Sequence, residues 1–264
     1  MKLGCNTIIF GGADLAAALD GIAWAGYEFV ELAAVRGMCE HVPADADADA
    51  IRRMLADAGL TATAMEGASV DPARVEELCA LAERLGVPLL NIGSGGASGD
   101  EETTKAAIEN IGALAEIAGR HGVRLAVKPH VGQAIYNGAT ALRLMDEVRH
   151  PALGLNFDPS HLYRADEDPP EVARRWAGKI ITSHFRDCAS RERQVGPPLT
   201  QIPGRGAIDL PATLAALAES HDGPVNLEII GAAAYPLHRA ASIAAESRGY
   251  LGRCLEELVG RFIR

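Results

Sequence analysis

The 264-residue chain has no paired cysteines: Cys5, Cys39, Cys79, Cys188 and Cys254 are scattered, odd in number and free of any C-x-x-C spacing, which argues against a disulfide framework or a zinc ribbon. It also lacks a long Lys/Arg run. With 25 basic against 35 acidic residues and a formal charge of −10, it is not built to grip nucleic-acid phosphates, and a small molecule is the expected partner. No apolar stretch reaches the roughly 20 residues a membrane span requires. The opening MKLGCNTIIF reads directly as strand rather than as an export signal, so a cytoplasmic protein without a membrane partner is expected. The glycine-rich run NIGSGGASG (91–99) contains neither a phosphate-loop lysine nor dinucleotide spacing, and reads equally well as a flexible substrate loop.

What is present is alternation. A hydrophobic content of 48% allows one large core, and short β-prone runs take turns with longer helical patterns, the signature of a parallel sheet crossed over by helices. The strands read as 2–6, 28–32, 61–66, 88–93, 124–129, 153–158, 179–185 and 224–229. Between them, segments such as Leu15 to Ala25, Val75 to Leu85, Ala107 to Ala118 and Leu210 to Ala218 carry apolar residues at one-face helical spacing. Gly26, Gly59, Gly86 and Gly122 stand just before strands, where a left-handed residue ends a helix and turns the chain. Eight such units predict an α/β fold of the (β/α)8 TIM-barrel type, with residues 1–264 as one domain and the tail RGYLGRCLEELVGRFIR as a closing amphipathic helix. The run PADADADA (43–50) is expected to lead into the second helix, its aspartates near the positive N-terminus.

In such a barrel the reacting groups stand at the C-terminal strand ends, beneath the loops that form the pocket mouth. Four neighbouring strands end in ionisable residues: Lys128 and His130, Asp158 and His161, His184 and Arg186, and Glu228. Side chains alternate along a strand, so Lys128 and His130 share a face, as do His184 and Arg186, while Phe185 and Leu227 face the helices. Asp158, His184 and Glu228 together supply two carboxylates and an imidazole, a donor set suited to Mn²⁺, Co²⁺, Zn²⁺ or Mg²⁺. Glu31 and Glu66, with Asn6, end the first strands and are candidates to hydrogen-bond a bound small molecule. Arg186, Arg191, Arg193 and Arg205 are candidates to clamp a phosphate or carboxylate, and the long segment Cys188 to Gly206 is placed to serve as a lid.

The motifs F-D-P-S-H (157–161), S-H-F-R-D (183–187), L-E (227–228) and P-G-R-G-A-I-D-L (203–210) resemble those of the xylose isomerase-like barrel superfamily of sugar phosphate isomerases and epimerases, over nearly the whole chain. The resemblance implies Asp158, His184 and Glu228 as ligands of a divalent metal ion, His161 and Arg186 as substrate-binding residues, and Glu228 as one half of a proton-transferring pair; His130 and Glu66 join the substrate-binding candidates from their strand-end positions. It implies a carbohydrate or polyol substrate, an enediolate formed by proton transfer beside a carbonyl, and a possible homo-oligomer. Two positions depart from the pattern. Arg205 stands where an acidic residue is common, and Lys128 occupies the strand-five position of the glutamate that is usually the fourth ligand and second acid/base. Either the ion remains on the other ligands, or the Lys128 ammonium supplies part of its charge and becomes catalytic itself as electrophile or acid; a Schiff base is a third option. The competing readings are a keto-polyol dehydratase, an endonuclease-like phosphodiesterase and a non-catalytic sugar-binding barrel.

Overall fold

The computed structural model describes residues 1–262. Eight parallel strands close on themselves: β1 (Lys2–Asn6), β2 (Phe29–Val35), β4 (Thr61–Glu66), β5 (Leu89–Ile92), β6 (Arg124–Val127), β7 (Leu153–Phe157), β8 (Ile180–Phe185) and β9 (Pro224–Leu227), with β1 pairing to both β2 and β9. The fold is thus a closed (β/α)8 barrel. One element was not expected from sequence. A two-residue strand, β3 (Cys39–Glu40), folds back antiparallel on the end of β2 through the turn at Gly37.

The outer ring follows the expected rhythm. Helices α1 (Leu15–Trp24), α2 (Ala48–Asp57), α3 (Pro72–Leu85) and α4 (Glu101–Arg120) return the chain to β2, β4, β5 and β6. Gly26, Gly59, Gly86 and Gly122 all adopt positive φ after these helices, a conformation that costs a residue with Cβ more than glycine. Asp47, from the Ala/Asp run, caps α2 by accepting from the Asp49 and Ala50 amides. Then come α5 (Gly138–Glu147), α6 (Pro159–Arg164), α7 (Pro169–Arg175), α8 (Leu210–Ala218) and the long α9 (Leu237–Phe262), which packs against α1. The last two residues of the expected closing helix lie outside the described residues. Among the described residues, no helix is long and apolar enough to cross a membrane.

The main core lies between strands and helices. Outward-facing Phe157 packs against Phe185 and meets the Trp176 indole edge-on at 6.0 Å between ring centroids. Inside the barrel sits a smaller apolar plug of Ala64, Leu89, Ala126 and Ile181, and above it the interior turns polar. Two register shifts set that polar layer. The shift at Val30/Glu31 seats Glu31 beside Ala64, so Glu31 and Glu66 share the inner face; the shift at Leu155/Asn156 seats Asn156 beside Thr182, which brings Asp158 alongside His184 one step further on.

Candidate active site

At the C-terminal end of the barrel, the inner layer ends in an interlocked set of charges around Lys128, which is only 7% exposed. Its Nζ donates to Glu66 Oε1 (3.0 Å) and Glu228 Oε1 (2.9 Å) and lies 3.1 Å from His184 Nδ1. The other face of His184 meets Glu31, with Nε2 and Oε2 2.6 Å apart. Glu31 and Glu66 are linked by Asn6, whose Nδ2 donates to both, at 2.9 and 2.7 Å, and Asn91 donates to Glu31 as well.

A second cation completes the cluster. Arg186 donates from NH1 to Glu228 Oε2, from NH2 to Asp158 Oδ2 (3.2 Å) and from Nε to Ser160 Oγ (2.9 Å). Asp158 directly follows β7 and caps α6: its Oδ1 accepts from the Ser160 amide (2.9 Å), the Ser160 hydroxyl (2.7 Å) and the His161 amide (3.3 Å). This short helix exists because Pro159 supplies a preset φ at its first turn, and it aims His161 and Arg164 toward the mouth.

The electrostatics separate the carboxylates. Burial works against the charge of Glu228, yet Lys128 and Arg186 hold its carboxyl well below the usual range. Burial opposes ionisation of Asp158 too and is outweighed by Arg186. At Glu66 burial prevails over the attraction of Lys128, and its pKa is raised. Burial also disfavours a charged Lys128, but Glu228 and Glu66 push its pKa above the ordinary lysine value. His184 follows the same logic: burial lowers it, and Glu31 more than compensates, pushing it up to about 10. The two other histidines of the site shift the opposite way. Burial and Lys128 push His130 down to about 4, and burial, with His130 and Arg186 nearby, holds His161 well below the ordinary value.

Above this floor opens a cavity of about 360 Å³ lined by Glu66, Lys128, His130, His161, Arg186 and Glu228 among others. His130 and His161 stack with ring centroids 3.9 Å apart. His130 Nδ1 is 2.9 Å from the Val131 carbonyl, leaving Nε2 to face other partners. The structure therefore gathers every strand-end residue singled out from sequence: Glu66, Lys128, His130, His161, Arg186 and Glu228 line the cavity, and Asn6, Asp158 and His184 lie in the cluster beneath. Glu31 does not line it: it is fully buried and holds His184. Arg193, from the 188–206 segment, lines the mouth, whereas Arg191 pairs with Asp166 and stacks on Tyr163, and Arg205 makes a two-pronged pair with Glu246 on α9. Arg164 escaped the sequence reading. It donates to the Ser160 carbonyl (3.0 Å), lies 3.0 Å from His161 Nδ1 and lines the cavity, and its one signal was the helical spacing of three from His161.

Two sets of donors come close enough to share a divalent ion, Asp158–His184–Glu228 and Glu31–Glu66–His184, with ligand atoms within 4.8 Å of one another in each. The donor types suit such an ion. As arranged, however, the space where Glu66, Glu228 and His184 converge holds the Lys128 ammonium, and these buried carboxylate oxygens are not orphaned.

The sequence profile of the family described as Xylose isomerase-like TIM barrel matches residues 19–254, and the chain belongs to that family. Among curated relatives, an inosose dehydratase of Salmonella agona is 27% identical over 121 residues, 41% of this chain and 40% of that protein. The inosose dehydratase of Bacillus velezensis is 28% identical over 113 residues, 38% of each chain. The matched stretch thus spans about two fifths of these relatives. Solved structures share the fold throughout: IolI with a bound zinc atom (TM-score 0.79, 20% identity, 95% of this chain and 99% of that one) and a D-tagatose 3-epimerase-like protein (TM-score 0.80, 16% identity, 99% and 100%).

Proposed function

We propose that this chain is an enzyme that acts on a polyhydroxy ketone by moving the proton on the carbon beside its carbonyl. One observation carries the reading: at the floor of the cavity, Glu66 and Glu228 flank a single ammonium, that of Lys128, and Arg186 stands on the far side of Glu228. Carbonyl proton transfer needs this combination, a positive pole for the oxygen that gains charge and carboxyl groups that exchange the proton beside it. Two carboxyls whose environments drive their proton affinities apart divide the roles naturally. Glu228 and Glu66 both stand where that proton is exchanged, Glu228 held as a carboxylate by Lys128 and Arg186, and Glu66 with the higher proton affinity of the two. Lys128 and Arg186 stabilise the enediolate oxygens. His130 and His161, both neutral, read substrate hydroxyls at the mouth, as hydrogen-bonding groups that add no charge.

Return of the proton to the same carbon or its neighbour makes the reaction an epimerisation or isomerisation. Loss of the hydroxyl one carbon further makes it a dehydration, and the curated relatives named inosose dehydratase favour that second outcome for a cyclic keto-polyol. Both begin with the same step. The test is incubation in D₂O with a panel of ketohexoses, ketopentoses and inososes, read by mass spectrometry for deuterium beside the carbonyl and by ultraviolet absorbance for an enone. Deuterium without absorbance assigns the epimerase or isomerase, absorbance assigns the dehydratase, and neither signal on any substrate removes the carbonyl reading.

A further inference from the structure

We infer that Lys128 takes the place of a divalent ion in this barrel, so that the site works with a built-in ammonium and binds no resident metal. The inference deepens the carbonyl reading, but its argument is geometric. Each carboxylate of the cluster can be followed oxygen by oxygen. Glu228 Oε1 accepts from Lys128 and Oε2 from Arg186. Glu66 Oε1 accepts from Lys128 and Oε2 from Asn6. Asp158 Oδ2 accepts from Arg186 and Oδ1 from Ser160 and the His161 amide. Glu31 takes Asn91 on Oε1 and both Asn6 and His184 on Oε2.

A vacant ion site in a folded protein leaves buried ligand oxygens without donors, because the ion was their partner. Here both oxygens of all four carboxylates have a donor from the chain, and among the described residues the buried polar atoms left without one include no carboxylate oxygen. Lys128 Nζ touches one member of the Asp158–His184–Glu228 set at 2.9 Å, another at 3.1 Å, and Glu66 of the second set at 3.0 Å. An ion entering there meets a fixed cation at contact distance and must displace it, together with the Arg186 bonds to Asp158 and Glu228.

The experiment is equilibrium dialysis of the full chain against Mn²⁺ and, separately, Zn²⁺, with the bound ion counted by elemental analysis and unfolding followed with and without ion. Wild type is expected to hold well under about 0.2 ion per chain and to show no ion-dependent rise in unfolding temperature, since only a ligand bound to the folded state raises it. Lys128→Glu, which restores a carboxylate in place of the ammonium, is expected to take up about one ion per chain and to lose it again in Lys128→Glu/His184→Ala. Stoichiometric uptake by wild type that disappears in His184→Ala overturns the inference, as does a folded Lys128→Glu that takes up none. If Lys128→Glu does not fold, the wild-type count and its His184→Ala control still decide. None of these readouts needs turnover, so a failed inference about the ion and a failed assignment of the reaction are told apart.

Discussion

Replacing Lys128 by Met keeps the unbranched stem, without the terminal nitrogen, and removes its charge, which leaves Glu66 and Glu228 facing each other across a buried space. Two ion pairs at 3.0 and 2.9 Å are lost. At an effective dielectric constant near 20, each is worth roughly 5 kcal/mol of attraction, offset in the wild type by the burial of three charges. The net penalty has a ceiling, because an uncompensated carboxylate takes up a proton instead. Moving a carboxyl from its ordinary value near 4.3 to a protonated state at pH 7 costs about 1.4 kcal/mol per unit over roughly three units, or about 4 kcal/mol. The sign follows from proton counting. In Lys128→Met the folded state holds a proton that the unfolded chain has released, so stability declines as pH rises above the unfolded value, by about 1.4 kcal/mol per unit relative to wild type, until the folded carboxyl itself ionises. Below about pH 4 both states are protonated and this deficit vanishes. Urea denaturation of both proteins at pH 5, 6 and 7 measures it. A deficit that is constant across that range, or under about 1 kcal/mol at pH 7, refutes the view that Lys128 holds two buried carboxylates in their charged form.

Glu228→Gln is expected to cut deuterium exchange by about 10²–10⁴-fold with an unaltered circular dichroism spectrum; an unchanged rate removes Glu228 from the reaction. For His184, whose pKa rises from 6.5 to about 10 on folding, the stabilisation is complete below pH 6.5 and is lost as pH climbs through about 10. Glu31→Gln, which removes the principal cause of that rise, flattens this alkaline limb in chemical denaturation; an identical limb in the variant disproves the pairing. His161→Asn separates the two possible outcomes of the reaction. If His161 serves only to read a hydroxyl, exchange and product formation fall together, and a loss of dehydration with exchange intact instead makes His161 the acid for the departing hydroxyl. Arg205→Ala breaks an exposed pair with Glu246 and is expected to cost under about 1 kcal/mol and to leave turnover alone; an affected KM returns Arg205 to the substrate site.

The eight barrel strands were legible because a parallel strand buried on both faces is a short apolar run, and because Gly26, Gly59, Gly86 and Gly122 mark the helix ends ahead of four of them. Four ionisable residues at consecutive strand ends were equally plain, since a period of two decides which side chain enters the barrel. What the sequence could not disclose is who meets whom across the barrel. Glu31 and His184 are 153 positions apart, and only closure of β1 on β9 and the register shift in β2 place the carboxylate against the imidazole. Read alone, Glu31 and Glu66 look alike, two glutamates near strand ends; in the barrel one is sealed beneath His184 and the other lines the cavity. The hairpin strand at Cys39–Glu40 was invisible for a simpler reason, as two residues cannot display a period.

The position of Lys128 just after β6 and that of Glu66 at the end of β4 form a single device. An ammonium alone at that depth is a buried charge without a partner, and a carboxylate alone is driven to take a proton, so each makes the other tolerable. The same pairing sets a positive charge where a carbonyl oxygen gains electrons and a carboxyl of raised proton affinity beside it. A fixed ammonium on a four-carbon stem differs from an exchangeable ion in one further respect. It offers the substrate oxygen hydrogen-bonding protons rather than vacant coordination positions, and its orientation is set by Glu66, Glu228 and Arg186 before any ligand arrives. Stability and chemistry at this site therefore rest on the same bonds.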